Sequence, residues 1–203
     1  MSTSKRLDYK GAVHHVMNRS RRRKKLWVSD AQRQAFVSGL SRLPDEYDVE
    51  VLAYVLLPDA VHAVLRSSGD GLSLALAQLG AVRAQGEGTD DPGPSYRGRF
   101  RNRIVLTRTY LSYLVGWLHL RPVPDLAPTP EAWRWSSAQA LADAERCPDW
   151  LGAATLQELM GGETVASVAH AIQRGDRRAP PAFDAALLWS GGVECCHLQL
   201  RFG

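Results

Sequence analysis

The chain contains no run of 18 apolar residues, which excludes an ordinary membrane-spanning helix. Its start, MSTSKRLDYKGAVHHV, lacks the apolar stretch of a secretory signal, so the cytoplasm is the expected compartment. Cysteine is scarce. Cys147, Cys195 and Cys196 show neither a CxxC spacing nor a bridge pattern, which suits a reducing compartment. Internal repeats are absent as well. What remains is a globular chain of 203 residues, 45% of them apolar, long enough for one domain with a real core plus an appendage.

The net charge of +4 decides little, but its distribution says more. RSRRRKK (19–25) and RGRFRNR (97–103) are two dense cationic runs with no balancing acid. Brought together by folding, they would form a stripe that binds a polyanion. The competing reading is solvated loop charge. Nucleic acid is the favoured partner, because packed cations repel one another until something neutralises them.

Hydrophobic periodicity divides the chain into elements. AVHHVMN (12–18) alternates and is rich in β-formers, so it reads as a strand. Residues 29–47 open on a helix cap at Ser29 or Asp30 and place Phe36, Val37 and Leu40 on one helical face. Two apolar runs, 49–57 and 60–67, flank Pro58-Asp59 and make a hairpin of strands. A helix over 71–85 follows, then a Gly/Pro/acid loop at 86–95, a strand over 99–107 and an amphipathic helix over 108–120 that stops before Pro122. The order β-α-β-β-α-β plus a helix predicts an α+β fold. It is the ferredoxin-like split βαβ, with a four-stranded antiparallel sheet, two helices on one face and C-terminal helices. Beyond Pro122 prolines crowd the sequence, followed by short helices, two of them within 148–162 and 163–176. The expected division is a core over 1–122, a helical extension over 123–178 and a tail over 179–203, whose VECCHLQLRF suits a strand.

Within the second hairpin strand, LPDAVHAVLR carries one imidazole, His62, in an apolar run. Ala60 stands two residues earlier on the same strand face. A histidine at that position would have completed a metal pair.

Five segments in order, AVHHVMNRSRRR, VEVLAYVLLPDAVHAVLR, YRGRFRNRIVL, LSYLVGWLHLRPV and WRWSSAQAL, resemble the single-tyrosine HUH transposases. Within them the REP-associated tyrosine transposases are the nearest branch. The resemblance covers roughly residues 9–142 and weakens towards 175. It implies a His-hydrophobic-His strand and a polar helix residue that together hold Mg or Mn against a phosphate of single-stranded DNA. It also implies a helix tyrosine that attacks the phosphorus and stays bound to it. Carried over, the two histidines fall on Ala60 and His62, the tyrosine on Trp117 and the helix ligand, commonly Asn, on Arg121. Three of these four positions have lost their chemistry. Alanine has no lone pair, indole is only a donor, and arginine puts a fixed cation where a metal would sit.

The basic and aromatic shell implied by the resemblance survives in Asn18 and Arg19, in Arg97, Gly98, Arg99 and Phe100, and in Trp135, Ser136 and Ser137. The resulting expectation is a domesticated, catalytically inactive protein, with regulation as one role open to it, that binds hairpin or single-stranded DNA without a metal cofactor. The expected contacts are Asn18, Arg19, Arg21, Arg22, Arg23, Lys24, Lys25, Tyr96, Arg97, Arg99, Arg101, Arg103 and Arg121, with Trp117 and Tyr96 stacking on unpaired bases. His62 then reads as a remnant, either satisfied in the core by a neighbour or kept for phosphate. His14 and His15 lie on the neighbouring strand, where one of them could face His62, although two imidazoles without a carboxylate make a weak metal site. His119 turns away from Arg121 and reads as structural. The alternatives are an active endonuclease with Tyr113 as a relocated nucleophile, a structured-RNA binder, and an interaction scaffold. Both a monomer and a homodimer fit the resemblance, and no membrane partner is expected.

Overall fold

Four strands pair into one antiparallel sheet in the computed structural model, which describes residues 8–20, 25–84 and 99–180. They are β1 (Val13–Arg19), β2 (Val49–Leu56), β3 (Ala60–Ser67) and β4 (Arg101–Val105). Their spatial order is β2-β3-β1-β4, antiparallel at every pairing. β2 and β3 form the expected hairpin across Pro58 and Asp59, closed by the Leu57 N–H donating to the Ala60 carbonyl at 2.8 Å. With its crossover helices α1 (Asp30–Ser41) and α3 (Leu72–Ala84), this is the ferredoxin-like split βαβ arrangement.

Strand alternation splits the core into two layers. Val16 of β1 and Val61, Ala63 and Leu65 of β3 pack with Phe36, Leu40, Leu76 and Leu79 from α1 and α3. Val13, Met17, Ala60 and Val64 face the opposite side. There α4 (Arg108–Leu120) buries Leu111, Leu114, Val115 and Leu118 against them. Each such side chain contributes about 2 kcal/mol on burial. Thr107 caps α4, its hydroxyl accepting from the Tyr110 N–H at 3.2 Å.

The helix expected over 29–47 is in fact two, α1 and α2 (Leu43–Tyr47). Pro44 has no N–H, and its ring clashes with the preceding turn, so the first helix cannot run through it. Ser29 is the cap, accepting from the Gln32 N–H. After α4 come α5 (Ala138–Ala142), a 3₁₀ turn (Ala144–Arg146), α6 (Ala153–Leu159) and α7 (Val165–Gln173). α7 lies on α4 at Gly116, where any Cβ would come within 2.8 Å of Val168 Cγ1. The expected loop at 86–95 and the tail strand at 193–202 lie outside the described residues. No helix among the described residues is long and apolar enough to cross a membrane.

The outer edge of β2 is roofed by later chain. The Leu56 N–H donates to the Trp135 carbonyl at 2.8 Å, the Ser137 N–H to the Tyr54 carbonyl at 3.0 Å, and the Gly152 N–H to the Val51 carbonyl at 2.9 Å. β4 pairs with β1 alone among the described strands.

Candidate nucleic-acid interface

Antiparallel pairing gathers the end of β1 and the starts of β3 and β4 at one end of the sheet. Arg19 lies opposite Ala60, and Met17 opposite Arg101. The residues flanking the first cationic run are fastened there too. The Ser20 N–H donates to the Asp59 carbonyl at 2.8 Å and the Leu26 N–H to the Pro58 carbonyl at 2.6 Å. Trp27 adds an indole bond to the Leu57 carbonyl at 2.7 Å. The described residues on either side of the run are therefore anchored at the hairpin turn. Lys25 is exposed, whereas Arg21, Arg22, Arg23 and Lys24 lie outside the described residues, as do Tyr96 and Arg97. Asn18 is buried, and its Oδ1 accepts from the Arg19 N–H at 2.8 Å.

The second run is sorted by strand periodicity. Phe100 points into the α1 layer and meets Phe36 with ring centroids 6.4 Å apart, and Asn102 reaches His14 on that same side. Arg101 and Arg103 take the other face, opposite Met17 and His15. Arg99 and Arg101 are exposed and Arg103 is half-exposed. Among the described residues none of the three forms an ion pair.

On that face the sequence-predicted positions meet. His62 Nδ1 lies 3.1 Å from His15 Nε2, and the two rings stack at 5.3 Å. Trp117 stands edge-on to His62 at 5.6 Å, and the Arg121 guanidinium lies 5.3 Å above the Trp117 ring. Four side chains, from β1, β3, α4 and the residue that caps α4, thus form one stack. Of the two β1 histidines it is His15 that faces His62, since His14 alternates to the opposite side and meets Asp8. Tyr113, one turn before Trp117, is half-buried.

Burial sets the charge states. It lowers the His15 pKa to about 3, with Arg103 adding to the effect. Burial likewise holds His62 well below the usual histidine range, helped by His15 and Arg121. The pair is therefore neutral, and one imidazole donates to the other. Arg121 is itself lowered by burial, and Asp59 opposes that shift. His119 is buried on α4, with Nε2 2.9 Å from Ser137 Oγ. Burial brings its pKa down to about 4 against an opposing backbone hydrogen bond at Val115. It ties α4 to the roofed β2 edge.

A divalent metal does not suit this donor set. Ala60 offers no ligand, Trp117 and Arg121 only donate, and His62 turns one nitrogen to His15. Mg takes oxygen ligands, and none of these four positions supplies one. Among the described residues no group of three or more His, Cys, Asp and Glu side chains could hold a metal ion. The arrangement can present guanidinium groups to an anion and an indole beside them.

Two features of this region escape sequence reasoning. Asp59, the acid near Arg121, sits in a turn that reads only as a turn. Trp135, Ser136 and Ser137, grouped by the resemblance with the basic shell, lie on the β2 edge as a structural cover. The alternation in WRWSS was the available signal of strand-like pairing.

No family model and no curated protein matches this chain. Among solved structures, the chain is similar to one described as the REP-associated tyrosine transposase bound to a REP hairpin. The TM-score is 0.59 at 20% identity, over 75% of this chain and 92% of that chain. The likeness is one of fold.

Proposed function

We propose that this chain is a transposase-like protein that binds hairpin or single-stranded DNA at the arginine-bearing end of its sheet and does not cut it. One observation carries the reading. The β4 arginines lie on the same sheet face as the His15–His62–Trp117–Arg121 stack, where the resemblance expects metal and nucleophile. A chain of like fold bound to a DNA hairpin supports the choice of ligand. The indole at position 117 has no oxygen to align with phosphorus at the roughly 3–3.5 Å an attack needs. Arg121 instead holds a phosphate through forked hydrogen bonds.

Binding of a labelled hairpin and of a single strand, titrated over salt, tests the reading. With five phosphates contacted, the log–log slope for the single strand is expected near −3.5. Replacing Arg21, Arg22 and Arg23 by alanine makes it shallower by about two units. Denaturing gels with Mg or Mn are expected to show neither a covalent adduct nor a nick. Salt-independent binding, preference for structured RNA, or an adduct lost in Tyr113→Phe would each overturn it.

A further inference from the structure

Among the described residues β4 is a five-residue strand that pairs on one side only, with half the ladder bonds of a central strand. Its α1-side face supplies two further fixings. Phe100, just before the strand, stacks on Phe36. In the middle, Asn102 Nδ2 lies 3.3 Å from His14 Nδ1. His14 is fully buried, and its Nε2 lies 3.1 Å from Asp8 Oδ1. The second Asp8 oxygen accepts from Ser67 Oγ at 2.9 Å, and that hydroxyl accepts from the Gly69 N–H at 3.1 Å. One carboxylate ahead of β1 thus clamps β1 to the end of β3 and, through an imidazole, reaches the middle of β4.

The clamp has a direction. A carboxylate oxygen accepts, so the His14 nitrogen facing it, Nε2, carries a proton. The Asn102 amide nitrogen faces the other ring nitrogen, Nδ1. Alternate strand residues point to opposite faces. Whatever holds Asn102 on one face therefore sets the roll of Arg101 and Arg103 on the other.

We infer that Asp8 and His14 are positioning residues for the nucleic-acid interface: the Asp8–His14–Asn102 relay sets the pitch of β4 and with it the presentation of Arg101 and Arg103 to phosphates. This rests on the binding reading above. The full chain, a single-stranded DNA probe and amide hydrogen exchange test it. Asn102→Val keeps a good strand former while removing the relay's last bond. It is expected to weaken binding about five- to tenfold at about 50 mM salt and to make the slope shallower by about 0.7 for each phosphate no longer neutralised. Asp8→Ala should give the same loss, and the double variant no more than either, because the residues act in series. Asp8→Asn, whose Oδ1 still accepts from His14, should restore wild-type binding. In Asp8→Ala, exchange should quicken at Arg101–Val105 and stay unchanged in β2. An unchanged slope in Asn102→Val, additive losses, or β4 exchange as slow as in the wild type overturns the relay. Absence of salt-dependent binding by the wild-type chain, with β4 exchange still quickened in Asp8→Ala, removes the nucleic-acid reading and leaves a purely structural clamp, which also overturns the inference.

Discussion

Along β2 the sheet ends beneath other chain: the backbone of 135–137 and Gly152 completes its ladder, and Val51 to Leu56 are all buried. Along β4 the outer side bears no strand among the described residues, every side chain is half-exposed or exposed, and arginines stand at 101 and 103, following Arg99. An unpaired edge is a hazard that charge relieves. One edge therefore uses chain to finish the fold, and the other carries exposed cations. On the binding proposed above, stability and binding lie at opposite margins of one sheet, so they should respond to different substitutions.

The sharpest test of that separation is Ser137→Ala at the roofed edge. Ser137 Oγ accepts from the Tyr54 N–H at 2.9 Å and lies 2.9 Å from His119 Nε2. Removing it leaves both without that partner, and each buried polar group so stranded costs about 1–3 kcal/mol. Denaturant unfolding should show a loss of about 2–4 kcal/mol, while the salt slope of binding by the folded protein stays as in the wild type. A changed slope would break the comparison.

Arg101→Ala with Arg103→Ala should do the reverse. Neutralising two fewer phosphates makes the single-strand slope shallower by about 1.4, read from a salt titration. Unfolding free energy should stay within about 0.5 kcal/mol, as for surface substitutions.

The smallest effect separates the edges by acid. His15 beside Arg103 and His119 beside Ser137 have folded pKa values of about 3 and about 4, below the 6.5 of an ordinary histidine. Between those values and 6.5 the unfolded chain binds protons that the folded chain refuses, so stability falls as pH falls. Each should cost about 1 kcal/mol by about pH 5.5, measured from unfolding curves at that pH and above neutrality. Arg103→Ala removes the lesser cause of the His15 shift, so the His15 share should be unchanged at about pH 5.5 and should level off at a higher pH than in the wild type, leaving the His119 share unchanged.

Much of this was legible beforehand. Alternation marked β1, apolar runs marked the β2–β3 hairpin, and β3 spans the expected 60–67. α4 likewise runs over the expected 108–120. Ala60 with His62 and Trp117 with Arg121 share faces because i,i+2 on a strand and i,i+4 on a helix must do so. The split at Pro44 was visible in principle, since proline without an N–H stops a helix. The role of WRWSS was not, because its partner is β2, about 80 residues earlier, and every bond between them is made to the β2 backbone, whose register the sequence does not show.

By itself, then, the sequence determined which residues alternate, where hairpin and helices start, and that alanine, tryptophan and arginine stand at positions 60, 117 and 121. Those are local properties, written in spacing and residue type. Only the tertiary structure decided that His15 rather than His14 meets His62, across 47 residues of chain, and that Asp8 reaches β4 through His14. Periodicity assigns a residue to a face of its own strand. Which residue of another strand lies beside it depends on the register between strands, which is set by the packing of both layers and the turns joining them.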